Sequence, residues 1–286
     1  VKSALRAYLL LTPALLVLGA LFLGGFAPSF LQSFGYFPAV GMTEPTLSFY
    51  REVFGGREFL PSLLFSLRIA FLSSAGAVVF GALLALLLLR TGRGEKIEGA
   101  LAAIPVIVPH TVAVLLVLNL LARTGLLARL LFASGFISSP DGMPSLVFDR
   151  GGLGVIAVYL WKGIPFAAAV VYVVLRNMNT RLWESATVLG ASRFQAFRYV
   201  VLPLLLPSLS STFVLLFGFS FGAFEAPFLI GPTFPRALPV AAYSAYIHPD
   251  PTFRPYSMVM VVVITFIAML LVYLYSFFLA GEERAS

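Results

Sequence analysis

The sequence predicts an all-α membrane protein with six transmembrane helices. Three observations lead there. Of 286 residues, 60% are apolar and 11% are charged, whereas a soluble globular domain carries roughly 25% charged residues. The apolar residues fall in long unbroken runs and not in the roughly ten-residue alternating segments of a membrane barrel. Backbone within hydrocarbon must satisfy its own hydrogen bonds, so helices or a closed barrel are the available solutions. Continuous runs select helices.

A span needs about 20 mostly apolar residues, and six segments qualify. The first covers 8–30 and follows Lys2 and Arg6. It is too long for the roughly 7–15-residue apolar region of a signal peptide and reads as a retained span. The second covers 60–89 and stops at Arg90-Thr91-Gly92-Arg93. The third, 100–121, is interrupted by Pro105 and Pro109 and carries the polar Asn119. The fourth, 153–175, contains Lys162 and Pro165, and the proline suggests a kink by freeing a carbonyl near Trp161. The fifth and sixth cover 202–230 and 256–280. The second and fifth exceed the hydrocarbon thickness and are expected to tilt or project from it.

The connections are polar and rich in turn formers. Residues 122–152 contain Ser138-Ser139-Pro140-Asp141-Gly142, a turn cluster. Residues 231–255 contain Pro232, Pro235, Pro239, Pro249, Pro251 and Pro255, too many for a long helix. No internal repeat and no second soluble domain is evident, so 1–286 reads as one transmembrane domain.

Lys and Arg in the loops set orientation. With the N-terminus inside, the inner segments hold Lys2, Arg6, Arg90, Arg93, Lys96, Arg176, Arg181, Arg193, Arg198 and Arg284. The longer outer segments hold Arg51, Arg57, Arg123, Arg129, Arg150, Arg236 and Arg254. An even number of spans then places both termini in the cytoplasm. The formal charge of +7 is thereby read as topology and not as nucleic-acid binding. The absence of cysteine excludes disulfides, thiolate metal sites and cysteine nucleophiles.

The inner loop 176–202 is long and not turn-like. It reads as two short amphipathic helices. Thr180 caps the first and Gly190 ends it through a left-handed residue. Ser192 caps the second, which runs to about Val201. Leu182, Ala186 and Leu189 share a face of the first, and Phe194, Phe197 and Val201 a face of the second. Two readings fit such a hairpin: a helix pair lying on the headgroups, or a lever that docks a cytoplasmic partner. Periodicity does not separate them.

Glu184-Ser185-Ala186, then Gly190, then Leu202-Pro203 resembles the "EAA" signature of the permease subunits of binding-protein-dependent type I ABC importers. The pattern there is Glu-Ala-Ala, three residues, Gly, nine or more residues, then Ile/Leu-x-Leu-Pro. Glu184, Ala186, Gly190, Ala191, Phe197, Leu202 and Pro203 match, Pro207 is a common addition, and Ser185 stands where alanine is usual. The six-span layout and the place of the motif between the fourth and fifth spans agree with that family. The resemblance implies a multi-pass protein of the bacterial cytoplasmic membrane and half of a translocation pathway. It also implies coupling to a separate ATPase dimer through Glu184, Ser185, Ala186, Gly190, Ala191, Phe197 and Pro203. The implied partners are that ATPase, a second permease subunit (a paralogue or a second copy), and a periplasmic or lipid-anchored substrate-binding protein. Ser220–Pro239 further resembles the spermidine/putrescine-type branch, which also holds importers for ferric iron, thiamine, sulfate and phosphonates.

Ionisable residues inside a bilayer are functional candidates by default. Arg68 lies near the outer end of its span, where it can snorkel. Lys162 and Glu225 either form a structural ion pair or line the pathway, and Asn119 is a further pathway candidate. A polyamine substrate favours acidic residues, of which only Glu225 is available beside Lys162 and Arg68. Gly218 and Gly222, like Gly76 and Gly81, suit close helix packing.

His110 and His248 are isolated in the sequence, and no Asp, Glu or His group has metal-ligand spacing, so no metal or cofactor is expected. No phosphate-binding Gly-x-x-x-x-Gly-Lys-Ser/Thr segment and no nucleophile elbow occurs. The chain therefore reads as a transport subunit and not an enzyme, with ATP hydrolysis on a partner. The competing class is a secondary transporter driven by an ion gradient, which calls for inverted repeats and more midplane charge.

Overall fold

A computed structural model describes residues 2–91, 97, 99, 103, 107–139, 142–178 and 185–285. Side chains are described from 9 to 277 within those ranges. The long helices are α1 (Lys2–Ser33), α3 (Phe59–Thr91), α6 (Leu153–Asn177), α8 (Leu202–Gly222) and α11 (Arg254–Ala285). Shorter ones are α2 (Ser48–Gly55), α4 (His110–Leu121), α5 (Leu126–Ala133), α7 (Arg193–Ala196), α9 (Glu225–Ile230) and α10 (Leu238–Tyr246). Among the described residues, six helical stretches are long and apolar enough to cross a membrane: Leu9–Ser33, Phe59–Thr91, His110–Ala133, Leu153–Asn177, Arg193–Gly222 and Pro251–Phe277. The fold is all-helical.

Two of these stretches differ from the sequence expectation. Residues 100–102 and 104–106 of the third lie outside the described residues, and its continuous described helix starts later than expected. It begins at His110 with Pro109 at the N-cap, and it continues past Leu121 through α5. Pro105 lies outside the described residues. The fifth starts earlier, at Arg193, and ends at Gly222, where Ala223 is extended. A second, short helix starts at Glu225. Pro227 explains the break. In a continuous helix its ring would collide with the carbonyl four residues back, at Ala223. In the first turn of α9 its missing N–H costs nothing, because no intrahelical acceptor exists there. Pro165, in contrast, is carried inside an uninterrupted α6.

The chain forms two compact units. The first comprises Val1–Leu60 and Leu238–Phe266. Here α2 is amphipathic and packs Phe49 and Val53 on Val259 of α11. Tyr256 donates a 2.6 Å hydrogen bond to Glu52, and the hydroxyls of Ser33 and Tyr50 lie 2.7 Å apart. Arg254 lies over the rings of Phe37 and Tyr246. Within the described chain the apolar side chains of α1 from Leu9 to Leu23 are exposed.

The second unit comprises Pro61–Ala237 and Ile267–Ser286. Its core joins Ala85 and Leu88 of α3, Ala168, Val171, Tyr172 and Leu175 of α6, and Val201 and Leu205 at the start of α8. The α3 and α6 backbones approach closely through small residues, with Gly81 against Ala167 and Ala168, and Gly163 against Ala77. The packing role expected of Gly218 and Gly222 is not realised within the chain, since both face open space. The packing expectation holds instead for Gly76 and Gly81 of α3, which lie against Leu160 and against Ala167 and Ala168 of α6.

Candidate functional site

The loop motif forms a cap-to-cap turn. Residues 185–188 are helical, and Gly190 has φ +87°. Ala191 N–H donates to Ala186 O and Gly190 N–H to Thr187 O, both at 3.0 Å. These paired bonds form a Schellman motif, which needs a left-handed residue where glycine carries no Cβ penalty. Two residues on, Ser192 starts α7 with a reciprocal capping box: Gln195 N–H donates to Ser192 Oγ, and Ser192 N–H to Gln195 Oε1. Glu184 lies outside the described residues. Ser185 and Gly190 are exposed, and Ala186 and Ala191 are half-buried.

The apolar tip of this turn faces outward. Val188 and Leu189 are each 87% exposed and Phe194 is 74% exposed. Phe194 therefore does not share the packed face expected with Phe197 and Val201. Phe197 and Val201 do pack, against the α3–α6 core. The reason is a π turn over Phe197–Val201, in which Leu202 N–H reaches back to Phe197 O. A π turn advances the register by one residue, so residues before it point elsewhere than a regular helix would direct them. Pro203 sits just beyond and has no N–H to offer Tyr199 O. The widened turn falls where a regular helix would crowd that carbonyl.

The intramembrane charges are placed differently from either sequence alternative taken alone. Lys162 is buried on α6, and its Nζ donates to Val108 O at 2.8 Å and lies 3.3 Å from His110 Nδ1. These partners, and not Glu225, make its contacts. Glu225 is exposed at the start of α9 and acts electrostatically on Lys162, His110 and Tyr159. The His110 ring lies against Phe219 with centroids 5.0 Å apart. Tyr159, one turn before Lys162, is buried with an unpartnered hydroxyl. Asn119 is not part of this group, because its amide donates to Leu115 O on its own helix at 2.8 Å. Arg68 is exposed and donates to Arg150 O at 2.7 Å. Sequence reasoning set His110 aside as isolated and passed over Tyr159. The legible signals were Pro109 directly before His110 and the i, i+3 spacing of Tyr159 and Lys162, which puts both on one face. Among the described residues no group of three or more His, Cys, Asp or Glu is gathered.

Comparison with known proteins agrees with this architecture. Residues 77–281 match the family described as binding-protein-dependent transport system inner membrane component. The sulfate transport system permease protein CysT of Salmonella typhimurium is 31% identical over 182 residues, covering 63% of this chain and 62% of that protein. The molybdenum transport system permease protein ModB of Escherichia coli is 26% identical over 196 residues, covering 64% of this chain and 78% of that one. The chain thus spans just over three fifths of the Salmonella relative. Among solved structures, a chain of a bacterial alginate ABC transporter in complex with an alginate-bound periplasmic protein superposes with a TM-score of 0.73 at 19% identity, covering 96% of this chain and 93% of that one. The chain belongs to the family of inner membrane components of binding-protein-dependent transport systems. Members are multi-pass membrane components and not enzymes.

Proposed function

We propose that this chain is the transmembrane permease subunit of an ATP-driven ABC importer. It forms half of the translocation pathway beside a second permease subunit, receives solute from a periplasmic or lipid-anchored binding protein, and couples to a separate ATPase dimer through the 176–202 loop. Both termini lie in the cytoplasm in this reading. The observation that carries it is the turn around Gly190: two capped ends present Val188 and Leu189 outward, while Phe197 and Val201 tie the same segment to the core. A rigid, apolar, solvent-facing tip linked to a span suits a lever that seats in a partner's groove. Glu184, Ser185, Ala186 and Ala191 add one charge and small contact residues, and Pro203 sets the π turn at the base.

The substrate is a small polar or charged solute. The relatives named above are described as sulfate and molybdenum permeases, and the end of the fifth span with the loop after it resembles the polyamine branch. The buried Lys162 weighs against a polycation, with Glu225 as its one acidic neighbour among the described residues. Lys162 and Glu225 are the pathway candidates here, and Asn119 is a weaker one because its amide is already engaged.

Gly190→Glu tests the lever. The left-handed φ disfavours any side chain, and the added carboxylate blocks close docking. The expected result is uncoupled transport with the folded protein still present, together with loss of binding-protein-stimulated ATP hydrolysis by the co-purified complex in lipid. Uptake that persists without ATP, or a chain that never co-purifies with an ATPase, overturns the reading in favour of a gradient-driven transporter.

A further inference from the structure

Lys162 is a buried ammonium with no carboxylate in contact among the described residues. Its two partners, Val108 O and His110 Nδ1, are neutral acceptors, which leaves one of its three N–H groups uncommitted. On the same face of α6 Tyr159 is 5% exposed, and its buried hydroxyl has no hydrogen-bond partner. With Nδ1 accepting from the ammonium, the neutral His110 ring carries its proton on Nε2, on the far side of the ring, and its part in the group is to orient the ammonium. A buried cation without a counter-ion and a buried unpaired hydroxyl are each costly. One group relieves both, namely an anionic oxygen.

The backbone around the cluster points the same way. Two helix interruptions adjoin it, at Val108-Pro109 before α4 and at Ala223-Phe224 before α9. Non-helical backbone at membrane depth is tolerated where it is enclosed by protein or lines a water-filled cavity. Among the described residues donors outnumber acceptors here, since Glu225 is the only carboxylate of that set acting on the group.

We propose that Lys162, Tyr159 and His110 form an intramembrane binding site for a small oxyanion, either a carboxylate or a tetrahedral oxyanion, with Glu225 at its rim. The site rests on the permease reading and adds to it the charge class of the solute. The bond to Val108 O is charge-assisted through the ammonium alone, whereas an anion brings a full opposite charge, so an arriving anion competes with Val108 O for the ammonium. That loosens the tie between α6 and the start of α4 as the solute passes.

The chain has two tryptophans, and Trp161, 37% exposed, directly precedes Lys162. Trp183→Phe leaves it as the sole tryptophan of this chain, and the Lys162→Gln complex, which shares every other tryptophan, supplies the background emission. The full chain, with the subunits that co-purify, is placed in phosphatidylcholine nanodiscs and titrated with sulfate, malonate and spermidine at constant ionic strength. Sulfate or malonate is expected to give a saturable change in Trp161 emission, and spermidine none. Lys162→Gln weakens anion binding about tenfold or more, as loss of a charge-assisted bond requires. Lys162→Arg retains binding, Tyr159→Phe weakens it severalfold, and Glu225→Gln binds as well or more tightly. A spermidine titration, the absence of any anion titration, or wild-type binding by Lys162→Gln overturns the site. So does a shared loss of thermal stability in Lys162→Gln and Glu225→Gln, which marks a structural pair. Emission that follows phosphatidylglycerol content without added anion assigns the pocket to lipid headgroups and equally overturns a solute site. The permease reading is judged separately, by ATP-driven uptake in Gly190→Glu. An intact coupling phenotype without anion titration removes only the oxyanion site.

Discussion

Gly81 is a position between two packed helices where a single methyl group would be felt sharply. A Cβ there would stand 2.6 Å from Ala167 Cβ, 2.9 Å from Ala168 N and 3.0 Å from Ile164 O. Two of those atoms are backbone and the third is a Cβ, so no side chain can rotate aside. Gly81→Ala is expected to cost about 1–3 kcal/mol through overpacking, read as a lower thermal midpoint in detergent. Gly218→Ala, which meets nothing within 4 Å, serves as the control and leaves that midpoint unchanged. Both glycines look alike in sequence. What distinguishes them is which helix lies opposite, and that depends on contacts far apart in the chain. The same limit applies to His110. An isolated histidine gives no sign that its ring will meet an ammonium from another helix.

At the scale of elements, the turn around Gly190 was the most legible part of the molecule. Gly190 as a left-handed stop and Ser192 as an N-cap follow from local chemistry, because each bond spans only a few residues. Ser192→Ala removes the acceptor for Gln195 N–H and is expected to destabilise the turn by about 0.5–2 kcal/mol. Faster amide exchange over 193–196, with the α3–α6 core unaffected, is the measurement that checks it. The π turn was not legible. A helix through 193–201 was expected, and the actual register turns Phe194 away from the core. Pro203→Ala restores the missing N–H and removes the crowding of Tyr199 O. We expect a newly protected amide at position 203, a regular helix in place of the π turn, and weakened ATP coupling. Transport unchanged in a variant with that regularised helix would show that the π turn has no part in the lever. The Ala223 break was within reach of the sequence, since Pro227 disfavours a continuous helix across that residue, but Pro165 inside α6 shows that a proline alone does not decide a break.

For the whole molecule, the balance of Lys and Arg and the even number of spans lead to a topology that chemistry can read. The chain lacks cysteine, so single cysteines report without interference. A cysteine at Ser185 or Ser192 is expected to react with a membrane-impermeant maleimide only after the inner face is opened. One at Ser244 or Thr252 is expected to react from outside in intact cells. Reversal of that pattern inverts the orientation and removes the loop from the ATPase side. The exposed apolar flank of α1 belongs in lipid or against another membrane subunit, because an apolar surface this large is not stable in water.

The sequence by itself determined the solvent of this protein, the number of its apolar spans and the capped turn at Gly190. These follow from composition, run length and hydrogen bonds between near neighbours. Only the tertiary structure decided that Lys162 meets Val108 and His110 and not Glu225, that α3 and α6 use their glycines while α8 does not, and that the π turn directs Phe194 outward. Each of those depends on which helices pack together and at what register, and an apolar run long enough to span a membrane looks nearly the same on every face.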